Sequence, residues 1–164
     1  MPEAFDNDNL LEEDFQVENL LEEDEWEIKP EILAYLAGII DGEGCIAIDS
    51  YKKSKGNIHH KLVVRCNMMD PQAIELLQLA FPGSHIFVEK TRVYHWGVMS
   101  TKAYECLQQL LPYLRVKRYQ AAIGMMFQEA CIYNRKGSWN ITEHERARRD
   151  RYREQLQNAK RIRD

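Results

Sequence analysis

The sequence predicts an α+β domain in which helices and a twisted, antiparallel four-stranded sheet follow the order αββαββα, with one added C-terminal helix. Three observations carry that prediction. Residues 31–42 repeat their large apolar side chains at helical spacing, residues 58–69 alternate at the period of a strand, and turn residues punctuate the chain between such segments. A chain of 164 residues, 29% charged and 45% hydrophobic, is long enough to bury one core without disulfides or a structural metal.

The elements follow in order. Lys29-Pro30 marks a boundary, because proline restricts the residue before it and suits a helix's first turn. In the helix that follows, Ile32, Leu33, Leu36, Ile39 and Ile40 fall on one stripe, the expected core face. Residues 45–53 and 58–69 read as strands joined by a polar turn over 52–57. Asp70-Pro71 caps a helix running to about Ala80, and Pro82-Gly83 stops it. Residues 85–90 and 93–99 form a second hairpin around Thr91-Arg92. Helices then cover about 101–110 and 116–133, divided at Pro112. After Lys136-Gly137-Ser138, Thr142 and Glu145 have capping-box spacing for a last helix to about Arg161.

The charge divides the chain more sharply than its net value of −4 implies. Residues 1–28 hold 12 acidic and no basic side chains, which leaves 14 acidic against 22 basic in the rest and a net charge of +8 there. A basic body suits a polyanionic partner. The expected organisation is an acidic tail (1–28), a domain (29–133) and a basic helical extension (134–164). The tail repeats Asn9-Leu10-Leu11-Glu12-Glu13-Asp14 as residues 19–24. It is either a solvated extension or a phosphate-mimicking arm. The absence of Lys and Arg from the first 28 residues excludes a secretory signal with a basic start, and the apolar run 32–40 is too short to span a bilayer. Cys45, Cys66, Cys106 and Cys131 lie too far apart for a zinc knuckle and read as reduced, mostly buried thiols of an intracellular protein.

The first helix has a second face, with Ala34, Ala37, Gly38, Asp41 and Gly42. A solvated face normally carries long polar side chains, and each glycine inside a helix costs about 1 kcal/mol against alanine. Small residues four apart let backbones approach closely, so this face is expected to meet another helix. Asp41 and Glu43 stand at the helix C-terminus, where carboxylates are unfavourable unless a cation offsets them. A carboxylate beside exposed main-chain oxygens suits a hard divalent ion, a reading that fits Glu43 better than Asp41, which can serve as an ordinary turn acid.

Residues 36–44, Leu-Ala-Gly-Ile-Ile-Asp-Gly-Glu-Gly, closely resemble the nine-residue motif that names the LAGLIDADG homing endonucleases. Tyr35 precedes the motif, the strand beginning Cys45-Ile46-Ala47-Ile48 follows it, and the element order is that family's fold. A second resemblance is the segment Leu110–Arg118, similar to the place where the family enters a later helix with a basic active-site residue. Together they cover residues 31 to about 133. The resemblance implies a Mg²⁺-dependent (or Mn²⁺-dependent) double-strand DNA endonuclease leaving 5′-phosphates, 3′-hydroxyls and short 3′ overhangs. Glu43 would be the metal-binding acid, the Gly42 main-chain oxygen a second ligand, and Lys117 the basic group near the scissile phosphate. Lys117 stands between Arg115 and Arg118, and such a cluster can equally do no more than touch phosphate. The family's water-organising polar residue would be Asn67 or Asp70. Single-motif members are homodimers, which implies a two-fold axis between paired first helices and a palindromic or near-palindromic site. A regulator or RNA maturase of the same fold is the alternative.

The strands suggest how DNA would be met. Leu62, Val64, Cys66 and Met68 alternate with Lys61, Val63, Arg65 and Asn67, and Asp49, Tyr51 and Lys53 extend the polar face onto the first strand. An antiparallel sheet fits the major groove. Arg65 suits guanine and Asn67 adenine, whereas Lys53, Lys55 and Arg92 suit phosphate. His59 and His60 point to opposite sides and are structural. Tyr94 and Trp96 are packing residues. The arginines of the last helix either extend the DNA footprint or form solvated salt bridges.

Overall fold

The computed structural model describes residues 28–53, 56–133 and 141–162. The acidic tail apart from Ile28, Lys55 and the 136–138 turn lie outside them. The elements are α1 (Pro30–Glu43), β1 (Gly44–Lys52), β2 (Ile58–Met68), α2 (Pro71–Ala80), β3 (His85–Val88), β4 (Tyr94–Met99), α3 (Ser100–Leu110), α4 (Arg118–Tyr133) and α5 (Glu143–Arg161). This is the expected α+β order. Two details differ. The second hairpin is shorter, because Glu89 and Val93 close a turn in which Arg92 adopts φ 63°, and α4 begins two residues later than expected.

The four strands form one antiparallel sheet in the order β1-β2-β4-β3. Period-two alternation sends Ile46, Ile48, Leu62, Val64, Cys66, Trp96 and Val98 to the helical side, where all are buried. Burying side chains of this size stabilises the domain by ~1.5–3 kcal/mol each. α4 lies so close to the sheet that a Cβ on Gly124 would stand 2.7 Å from a methyl of Leu62. Asp70 accepts the Gln72 amide at 2.9 Å, and Thr142 accepts that of Glu145 at 3.2 Å, so both predicted caps form.

α5 packs on α4 and along the edge strand β1. Its Leu156 and Ala159 join the same core as the rest of the domain, and Tyr152 meets Phe127 edge-on with ring centroids 6.2 Å apart. These three apolar residues suffice because α4 offers a complementary face. His60, with a fully buried side chain, places Nε2 2.8 Å from Asp150 on this helix. His59 stands on the opposite side of β2 against Tyr51. Among the described residues no helix is long and apolar enough to cross a membrane. All four cysteines are free, and Cys45 is exposed. Burial and the nearby Glu43 push the Cys66 thiol up to about 11.

Candidate DNA-cleavage site

The site is built where α1 ends and β1 begins. No loop separates them: Glu43 closes the helix and Gly44 opens the strand. The Gly44 amide donates to Ile40 O, and its backbone is extended at φ −79°, ψ 159°. Gly44 is therefore not required for a left-handed turn. It is required for close approach, because a Cβ there would lie 2.6 Å from Ile40 O and 2.7 Å from Ile40 Cα. Gly42 is still helical.

α1 carries no basic residue in its last turn, so the cation that offsets its two acids must come from elsewhere. It comes from Lys117, whose Nζ donates to Ile40 O at 2.9 Å and Asp41 O at 2.7 Å. The return contact is made by Asp41. Its carboxylate accepts the backbone amides of Arg115 at 2.7 Å, Val116 at 3.0 Å and Lys117 at 2.8 Å. The C-terminus of α1 and the N-terminus of α4 thus satisfy each other's orphan groups. Burial acts to raise the Asp41 pKa, but the three amides and the Lys117 ammonium outweigh it and hold the carboxyl below its usual value. For Lys117 desolvation lowers the pKa, and nearby Asp41, Cys45, Cys66 and Glu43 only partly oppose that.

This geometry corrects the reading of α1's second face. Ala37 has 0% exposure. It belongs to the core with Leu36 and Ile40, because the core-facing arc is centred between residues 36 and 37 and not on the larger side chains alone. Asp41 also turns inward, to α4. The turn-acid reading of Asp41 holds in kind, but the amides it caps lie 74–76 positions away. What faces outward is Ala34, Gly38, Gly42 and Tyr35, the last 55% exposed. Ile32, Leu33 and Ile39 are only partly buried. Among the described residues a Cβ at Gly38 or Gly42 would meet nothing within 4 Å, so none of them requires glycine at either position.

Glu43 is exposed and makes no ion pair among the described residues. Its neighbour Gly42 offers a carbonyl oxygen that is not one of the two taken by Lys117. Hard oxygen donors of this kind fit a divalent ion such as Mg²⁺ better than a soft one. Among the described residues no group of three His, Cys, Asp or Glu side chains is placed to hold a metal. Asn67 lies one position beyond the Gly44–Cys66 pair, at the sheet end where α1 delivers Glu43. Asp70 is engaged as the α2 cap.

The outward sheet face holds the remaining candidates. Arg65 grips both carboxylate oxygens of Asp49, at 2.8 and 2.9 Å. Lys61 sits 5.4 Å from the centroid of the Tyr51 ring and 3.2 Å from Met99 Sδ. Lys53 and Arg92 stand at the two hairpin ends, both exposed. Sequence reasoning missed Phe87 and His95, which stack on this face with centroids 4.3 Å apart and planes 2° apart. β3 is too short and irregular for alternation to show.

Neither a protein-family model nor a curated protein sequence matches the chain. Solved structures do match. The homing endonuclease I-CvuI in complex with DNA superposes with a TM-score of 0.67 at 17% identity, over 77% of this chain and 80% of that one. The archaeal intron-encoded homing endonuclease I-Vdi141I, also complexed with DNA, gives 0.66 at 13% identity over 77% and 82%. The LAGLIDADG homing endonuclease I-GzeII, in complex with its DNA target, gives 0.63 at 13% identity over 74% of this chain but 43% of that one. The chain has the LAGLIDADG homing endonuclease fold. Of the nine-residue segment 36–44, residues 36–43 lie in α1, which Glu43 closes, and Gly44 opens β1.

Proposed function

We propose that this protein is a divalent-metal-dependent, site-specific double-strand DNA endonuclease that acts as a homodimer. The observation that supports this reading best is the pairing, on one helix, of an outward face bare of side chains at Gly38 and Gly42 with an unpaired carboxylate at its end. Two copies of α1 packed through that face bring two Glu43 carboxylates to one axis, and each chain then serves one DNA strand. The coverage of the neighbours fits: one copy of this fold spans 80% of I-CvuI but 43% of I-GzeII and 47% of I-LtrWI.

Glu43 and the Gly42 carbonyl would hold the ion, which when bound neutralises phosphate charge and activates water. Lys117 holds the end of α1 in place through two of its three ammonium donors, leaving one directed at whatever occupies the site. Asn67 orients water beside Glu43. The outward sheet face enters the major groove, where Arg65 and Asn67 have the donor sets for guanine and adenine and Lys53, Lys55, Lys61 and Arg92 meet phosphate.

Incubation of the full-length protein with a library of random duplexes and Mg²⁺ tests this. The expected result is cleavage at one near-palindromic sequence by a species that sediments as a dimer. Glu43→Gln is expected to lower cutting by about a thousandfold or more, as loss of a metal-held charge does, and to leave binding intact. Tight binding of a selected site without cleavage would overturn the proposal in favour of a non-cleaving binder.

A further inference from the structure

We propose that one face of α5 forms a second, sequence-independent wall of the DNA interface, gripping backbone phosphates along the β1 edge of the sheet. This rests on the reading of the outward sheet face as the DNA surface.

At 100° per residue, Arg146, Arg149, Asp150, Arg153 and Lys160 fall within an arc of about 100° on α5. The buried residues Leu156 and Ala159 lie on a neighbouring arc, so the charged face is turned to the flank of the domain and not away from it. Contacts at both ends show what lies beside it. Near the start of α5, Asp150 meets His60 of β2, and Arg149 and Arg146 are close enough to His59 to help depress its pKa, after burial and Lys53. Near the end, Lys160 Nζ is 3.3 Å from Cys45 Sγ. By strand parity His59 and Cys45 both belong to the outward side of the sheet. The face therefore runs the length of β1, from the hairpin tip to the residue two places after Glu43.

Three of these cations have no carboxylate partner. Arg149 is held by Glu145 at 2.9 Å, whereas Arg146, Arg153 and Lys160 form no ion pair among the described residues. Arg146 and Arg153 are partly exposed; their Nε atoms are buried without a hydrogen-bond partner among the described residues, so a phosphate oxygen would be met through the other guanidinium donors. From Arg146 to Lys160 the helix advances about 21 Å, equivalent to about six phosphates along one strand of a duplex. Like charges arranged in this way repel one another, and a polyanion removes the repulsion. Phosphate contacts position a duplex without reading its sequence, a task the α5 cations would share with Lys53, Lys55, Lys61 and Arg92.

Binding of the full-length protein to a labelled duplex of random sequence, without divalent ions and across a salt series, decides the matter. Replacing Arg146, Arg153 and Lys160 together with Gln is expected to reduce the slope of log affinity against log salt by up to about 2.7, or about 0.9 per lost phosphate contact. The loss should be equal on cognate and random duplexes. Arg151→Gln, on the opposite side of α5, is expected to leave the slope unchanged, and a triple variant with both arginines changed to Lys and Lys160 to Arg is expected to keep it. A Gln triple variant that melts like the wild type and retains the full slope overturns the inference while leaving the DNA reading intact. A wild-type protein that binds no duplex even at low salt overturns both.

Discussion

Two polar regions of the molecule are built on opposite plans. At the junction of α1 and α4, five hydrogen bonds from Asp41 and Lys117 join two helix ends that would otherwise leave orphan carbonyls and amides. On the outward sheet face, Arg65–Asp49 and Lys61–Tyr51 are contacts between side chains partly open to water. The first region fixes a backbone, and the second fixes only rotamers. The difference suits the roles proposed for them. A carboxylate that must hold a metal ion against a phosphate within a few tenths of an ångström needs a rigid support, whereas groups that exchange one partner for a DNA base need a partner they can leave.

The contrast breaks most readily at the clamp. Asp41→Ala strands three backbone amides at once, and is expected to destabilise the domain by about 2–3 kcal/mol, measured by urea unfolding. The pH dependence has a definite sign. Because the Asp41 pKa is depressed in the folded state, its contribution is full above the unfolded value of about 3.9 and is lost as pH falls through the folded value. Asp41→Asn should therefore flatten the acid limb of a stability–pH curve, and an unchanged acid limb would remove the clamp from the stability of the fold.

Gly38→Ala gives an intermediate effect and separates two parts of α1. Within one chain the new methyl meets nothing, so the monomer should gain about 1 kcal/mol of helix stability. If two copies of α1 pack there, association should weaken, which sedimentation at several concentrations detects. A variant that dimerises as well as the wild type would place the interface elsewhere.

The smallest change in stability belongs to the sheet face. Asp49→Ala removes an ion pair of two partly exposed groups and should alter stability by no more than about 1 kcal/mol. It should nevertheless strengthen non-specific DNA binding, because it frees the Arg65 guanidinium, and raise the magnitude of the salt slope by about 0.9. Weaker binding would show that Asp49 orients Arg65 usefully instead of neutralising it.

Local pattern exposed most of the fold. Alternation in β2, the Asp70 and Thr142 caps and the stop at Pro82-Gly83 are interactions within a few residues, so their signals survive in one dimension. The shorter β3 and the later start of α4 escaped, since ring stacking across a hairpin and the Asp41 contact to residues 115–117 have no local signature. In the candidate site, the residue types at 41–44 and the basic segment 115–118 were both legible, but nothing in either segment says that they touch. Ala37 shows the same limit from the other side. Small residues look alike whether they make room for a second chain or for the chain's own core.

The sequence by itself determined the order and type of the elements, the split between an acidic tail and a basic body, and the presence of one motif with an acid at its penultimate position. These follow from backbone periodicity, capping chemistry and charge, which neighbours in the chain decide among themselves. Only the tertiary structure decided that Asp41 and Lys117 fasten two helix ends together, that Ala37 faces inward while Tyr35 faces out, and that the cations of α5 line the edge of the sheet. Each of those outcomes depends on which distant surfaces come into contact, and burial and electrostatics act through space rather than along the chain.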